Sequence, residues 1–133
     1  EEMSHSAVIF HASRIVGAEN LKQIGIRSGM KEEWEFMKKY NTLCHKYSDL
    51  DCLKNKPIFV TVDLDCLDPS VMPGTGTPES GGMQFNELID WFEYLKDFNI
   101  AGADVVELAP DYDASGVSTA VATKVIRELL MVM

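Results

Sequence analysis

The run IFVTVDLDCLDPSVMPGTGTPESGG, from Ile58 to Gly82, constrains the chain more than any other stretch. Its first five residues are apolar or β-branched without a break, the pattern of a strand buried on both faces of a parallel sheet. Two aspartates, Asp63 and Asp65, then follow with one residue between them. Because strand side chains alternate with a period of two, both carboxylates are expected on one side of the strand's carboxyl end. In open α/β sheets that end is where ligands sit. Two like charges aimed at one spot repel, and a divalent cation offsets that repulsion best. The loop beyond them holds Pro69, Pro73, Gly74, Gly76, Pro78, Gly81 and Gly82. Such density of backbone-restricting and backbone-permitting residues reads as a shaped wall beside a site.

A blander reading competes with this one. Asp63 and Asp65 could simply cap the next element, with Asp68-Pro69 as an ordinary turn. Two functional patterns with similar letters fit less well. An EF-hand loop needs an oxygen donor at its fifth position and Gly at its sixth, where this chain has Leu67 and Asp68. Aspartate-nucleophile phosphatases of the haloacid dehalogenase type continue with a small hydroxyl residue, where Leu67 again stands.

A second βα and β pattern follows the loop. Phe85, Leu88, Ile89, Phe92 and Leu95 recur at helical spacing, and Ile100 to Val106 makes a further apolar strand ending in Glu107. Strand, helix and strand in that order form a parallel βαβ unit. Glu107 is thereby expected at the same carboxyl edge as Asp63 and Asp65, and Asp104 as a buried structural acid. Val117, Val121, Val125 and Leu129 mark a closing helix, with Ser115 or Ser118 near its start. Upstream, Val8, Ala12 and Ile15 suggest a helix ending near Gly17, with His11 on its surface. LKQIGI suggests a short strand at Leu21 to Ile26, Trp34 and Met37 a helix over Lys31 to Tyr40, and His45 a solvated side chain in the polar stretch that follows.

The run VDLDCLDPSVMPGTGTPESGG resembles the second metal-binding signature of the ureohydrolases, the arginase and agmatinase family, and its PGTGTP form is nearer the agmatinase type. ADVVELAP resembles that family's final signature, and SHSAVIFHAS the stretch carrying its catalytic-site histidine. The resemblance implies an arginase-like three-layer α/β/α fold with a mostly parallel sheet, of which residues 1–133 would be the C-terminal part of one domain. It implies a binuclear Mn2+ centre, hydrolysis of the guanidino C–N bond of agmatine to putrescine and urea, and a homo-oligomer when complete. Carried over residue by residue, Asp63 would bridge both metals, Asp65 would bind one, His5 would shuttle protons, and Glu107 would orient the guanidinium. Arginine, guanidinobutyrate and formiminoglutamate remain alternative substrates, and a non-catalytic interaction fragment remains an alternative role. The family's first ligand histidine and its D-x-D-x-H cluster belong upstream of His5 and have no counterpart here.

Composition narrows the partners. A net charge of −9 argues against nucleic acid or anionic membrane as a partner and is compatible with a small cationic substrate. Three cysteines, Cys44, Cys52 and Cys66, without C-x-x-C spacing suggest reduced thiols and a cytoplasmic setting. The chain opens at Glu1 with no initiator Met and no signal-like or transmembrane run, and so reads as part of an intracellular protein.

Overall fold

The computed structural model describes residues 7–133, so the expectation for His5 lies outside the described residues. The chain divides into two compact units, one running through Leu50 and the other from Asp51 to Met133. Among the described residues, no helix is long and apolar enough to cross a membrane.

The second unit holds the βαβ pattern. Strand β1 (Pro57–Asp63) pairs in parallel with β2 (Asn99–Val106), and helix α3 (Phe85–Leu95) lies between them in the chain. Helix α4 (Val117–Val132) closes it. The expectation of an α/β fold with parallel strands therefore holds. The register sets Val62 opposite Val105 and Asp63 opposite Val106, which brings the carboxyl ends of both strands level. The Gln84 amide donates to Glu87 Oε2 at 2.6 Å, satisfying one of the donors that a helix start leaves unpaired.

One core serves this unit. Val62, Leu64, Leu67 and Met72 pack with Leu88 and Phe92 of α3 and with Ala122, Val125 and Leu129 of α4. Both helices thus cover the same face of the sheet. The expectation of a strand buried on both faces is corrected: β1 alternates, with Val62 buried and Phe59 65% exposed. An apolar, β-branched run fits a parallel strand but does not report whether its second face is covered. Asp104, opposite Thr61 on that other face, is exposed rather than buried. Within this unit the structure is a two-stranded sheet under one helical layer.

On the closing helix Val125 and Leu129 are buried as expected and Val121 packs against the core, but the stripe drifts toward Ser118 and Ala122 at its start. Its buried residues are Ser118, Ala122, Val125, Leu129 and Val132, while Val117 is exposed. At 3.6 residues per turn a strict i, i+4 row drifts around the helix, so alternating steps of four and three keep the core-facing stripe.

In the first unit, α1 (Val8–Val16) and α2 (Lys31–Tyr40) appear where expected. The face expected for α1 is corrected, because Val8 and Ile15 are exposed and Ser13 is buried. The apolar residues do share one face of this helix, but nothing among the described residues covers it. His11 is half-buried rather than on the surface, whereas His45 is exposed. The expected strand at Leu21 to Ile26 is a single parallel bridge between Gln23 and Leu43. Gly25, at φ +77°, takes the chain out of extended geometry there.

Leu64 is fully buried in the second unit's core and Phe59 is not. Leu64→Ala should cost about 2–5 kcal/mol in urea unfolding, and Phe59→Ala less than about 1 kcal/mol. Equal losses would show that the outer face of the sheet is as well packed as the inner one.

Candidate active site

The strand ends and the loop between β1 and α3 build the site. Asp63 is the last residue of β1 and Asp65 lies in the 3-10 turn Leu64–Cys66 that follows. The Asp65 amide donates to Asp63 Oδ1 at 3.1 Å, so Asp63 does cap this turn, as the blander reading has it. Capping uses only part of the carboxylate. The Thr77 hydroxyl reaches back across the loop and donates to Asp65 Oδ2 at 3.0 Å, which fixes the second aspartate. Glu107 follows β2 directly, and a Cβ on Gly76 would stand 3.7 Å from Glu107 Oε2. Two parallel strands and one loop thus bring Asp63, Asp65 and Glu107 to one edge.

Electrostatics mark this edge as uncompensated. Partial desolvation pushes the Asp63 carboxyl up to about 6, and the negative charges of Asp65 and Glu107 push it the same way. The hydrogen bond from the Asp65 amide opposes them and does not prevail. Although the residue keeps solvent access, its carboxylate stands in a field that disfavours its charge. Glu107 also has φ +68°, a left-handed conformation that costs a non-glycine residue of order 1–3 kcal/mol and tends to cluster at functional sites.

Two further aspartates shape the site without belonging to it. Asp68 accepts from Ser70 N and Oγ at 3.0 and 2.6 Å, and from Gly81 and Gly82 N at 2.8 and 3.2 Å. These donors, the Ser70 hydroxyl first, pull its pKa down to about 2. A Cβ on Gly82 would lie 2.5 Å from Asp68 N and Leu67 C, so only glycine lets the two arms of the loop meet here. Asp113 accepts from Ser115 Oγ and N at 2.6 and 2.9 Å and from Ser118 N at 2.8 Å. Its carboxyl is held well below the usual range by the Ser115 and Ser118 donors. The start of α4 is served by Asp113 and, as expected, by Ser115, whose Oγ accepts from Val117 N at 3.2 Å, while Ser118 turns fully inward. There Ser118 Oγ accepts from Gly74 N at 2.8 Å, and Gly74 O accepts from Ala109 N at 2.8 Å.

Of the four site residues expected from the sequence, Asp63, Asp65 and Glu107 come together as described, and His5 lies outside the described residues. Thr77, Asp113 and Ser118 were not singled out as site-shaping residues. The spacing D-x-S-x-x-S ahead of an amphipathic run was the available signal for Asp113, since Asp and Ser favour helix starts. Among the described residues no group of three or more His, Cys, Asp or Glu side chains is arranged to hold a metal ion. Asp63 and Asp65 offer hard oxygen donors in an uncompensated field, which suits Mn2+. They fit as a portion of a coordination shell of six or so ligands rather than as a whole one.

The Arginase family model matches residues 1–132. A curated agmatinase of Bacillus cereus is 41% identical over 140 residues, spanning 98% of this chain and 48% of its own length. A crystal structure of a presumed agmatinase from Clostridium difficile superposes with a TM-score of 0.83 at 44% identity, over 97% of this chain and 50% of that one. The proclavaminate amidino hydrolase of Streptomyces clavuligerus superposes with a TM-score of 0.75 at 27% identity, over 92% and 46%. The chain spans about half the length of the relatives it matches.

The depressed carboxyls give a pH dependence with a definite sign. A group whose folded pKa lies below its unfolded value adds stability above the unfolded pKa and loses it as pH falls through the folded one. Asp113→Ala should therefore melt lower than the parent at pH 7, and the gap should close as pH falls below the ordinary aspartate value of 3.8. A gap unchanged at pH 2 would show that the charge of Asp113 contributes nothing.

Proposed function

The chain belongs to the arginase family, and on that premise we propose that it carries part of the active site of a manganese-dependent guanidino hydrolase acting on agmatine. One observation carries the reading: Asp63, Asp65 and Glu107 stand at the carboxyl edge of two parallel strands, where desolvation and the charges of Asp65 and Glu107 disfavour the charge of Asp63. The agmatinases among the relatives support the choice of substrate.

In this reading Asp63 and Asp65 hold Mn2+, and the Thr77 hydroxyl keeps Asp65 in the orientation to do so. When bound, the metal supplies Lewis acidity that brings an attacking water's pKa toward neutrality. Glu107 accepts two parallel N–H bonds from the planar guanidinium fork and so sets its orientation. His5 carries protons to the departing amine, which leaves as putrescine while the guanidino carbon leaves as urea. The complete enzyme is a cytoplasmic homo-oligomer. Cys44, Cys52 and Cys66, which form no disulfide among the described residues, support that setting.

The residues upstream in the longer relatives are then needed to complete the metal shell. A second reading, a non-catalytic fragment that assembles through the same fold, draws support from the exposed Phe59 and Val106 on the outer sheet face. Urea release separates the two.

Three outcomes follow. The purified, Mn2+-loaded 133-residue chain should release no urea from agmatine, and release at a full-length enzyme's rate would show that its ligand set is complete. In the complete enzyme, Asp63→Asn or Asp65→Asn should lower Mn2+ content and cut turnover by orders of magnitude. Unchanged metal and turnover would remove both from the site. Glu107→Gln should weaken agmatine binding, with each lost charge-assisted hydrogen bond costing about 1.5–3 kcal/mol, and leave the metal content as it was. Loss of metal with substrate affinity intact would make Glu107 a ligand instead.

A further inference from the structure

The geometry points to Ser118 and Asp113 as positioning residues that hold Glu107 in its left-handed conformation through Gly74 and Ala109. The inference rests on the proposed role of Glu107 in binding a guanidinium. Glu107 is a non-glycine residue at φ +68° at the end of a strand, and such a conformation persists only where its surroundings over-determine it. The strand itself does not supply the constraint, since its ladder ends with Val106 opposite Asp63.

The constraint comes from the far side of Glu107. Two residues on, the Ala109 amide donates to Gly74 O at 2.8 Å. Gly74 is held in turn, because its own amide donates to Ser118 Oγ at 2.8 Å in a fully buried position. Ser118 is fixed from above by Asp113, whose Oδ2 accepts its amide at 2.8 Å. No larger residue could take the place of Gly74, where a Cβ would stand 2.7 Å from both Ser118 Cβ and Oγ and 3.1 Å from Asp113 Cβ. The start of α4 is thereby locked to the loop, and the loop to the exit of β2.

The same loop carries the metal arm. Gly76 lies against the Glu107 carboxylate, and Thr77 bonds Asp65. Gly74 is thus the common anchor of the segment that orients Asp65 and the segment that bends at Glu107. A guanidinium that has to reach Glu107 and the aspartates together needs their separation fixed, and this chain of hydrogen bonds fixes it. The hydroxyl of Ser118 matters here for where it holds a neighbour, since it is buried away from solvent and already paired.

The test uses the full 133-residue chain by NMR, with folding checked by circular dichroism. The intraresidue HN–Hα Overhauser effect is strong for a positive φ and weak in a strand, so it reads Glu107 directly, with Val105 and Val106 as internal references. Ser118→Ala should drop the Glu107 signal to the level of those two while leaving helix content unchanged, and Ser118→Thr, which keeps the hydroxyl, should restore it. Should Ser118→Ala fail to fold, Asp113→Asn is read in its place and should weaken the same signal. A Glu107 signal as strong as the parent's in a folded Ser118→Ala or Asp113→Asn chain overturns the inference. The agmatine affinities of the complete enzyme and of its Glu107→Gln variant separate this result from the functional reading. Equal affinities beside a Glu107 signal lost in Ser118→Ala refute the guanidinium role and leave the positioning in place. A weakened Glu107→Gln variant beside an unchanged Glu107 signal in Ser118→Ala refutes the positioning and leaves the guanidinium role.

Discussion

The parallel register of β1 and β2 is the constraint on which the site depends. By setting Asp63 opposite Val106 it brings the ends of two strands level, so that residues separated by more than forty positions in the chain leave the sheet at one edge. A slip of one residue would turn Asp63 to the core face and bury Val62's neighbours in the wrong order. The core guards against that slip, because Val62 and Val105 must both face Leu88, Phe92 and Val125. Hydrophobic packing on one side of the sheet thereby fixes the placement of charge at its end.

The aspartates of the loop and its neighbour fall into two groups with opposite physics. Asp68 and Asp113 are surrounded by hydroxyl and amide donors that stabilise the ionised form, and both are held well below the ordinary aspartate range. They are structural acids that fold loops. Asp63 is pushed the other way, by partial desolvation and by two further carboxylates, and the one amide it receives does not compensate. A fold that spends its donors on Asp68 and Asp113 and leaves Asp63 short of them retains an electrostatic cost that a bound cation would relieve. The same contrast explains why a D-x-D pair beside a turn can be read as mere capping: capping is present at Asp63, and it is insufficient.

Much of this was legible in the sequence. The central strand, the amphipathic α3, the second strand and the placement of Asp63, Asp65 and Glu107 at one edge follow from alternation, helical period and the parallel rule for βαβ units. What was not legible had physical reasons. Whether Phe59 and Asp104 are covered depends on what packs against the second face, and a strand's own letters do not carry that. The apolar face of α1 is legible, but whether anything covers it is not, and the strand at Leu21 to Ile26 was interrupted by the backbone freedom of a single glycine, Gly25. The tie of Ser118 to Gly74 joins positions 44 residues apart, and local pattern is silent about partners at that distance.

The central claim is that Asp63, Asp65 and Glu107 form one carboxylate site, in which the charge of Asp63 is disfavoured, with a preference for a divalent cation. Paramagnetic line broadening on stepwise addition of Mn2+ to the isotopically labelled chain tests it most directly, because broadening falls steeply with distance from the ion. The account predicts that the amide signals of Asp63, Leu64, Asp65 and Glu107 fade first, at Mn2+ levels that leave exposed acids elsewhere, such as Glu93 and Asp97, unaffected. Broadening that spreads evenly over the acidic surface, with no preference for the shared edge of the two strands, would contradict it.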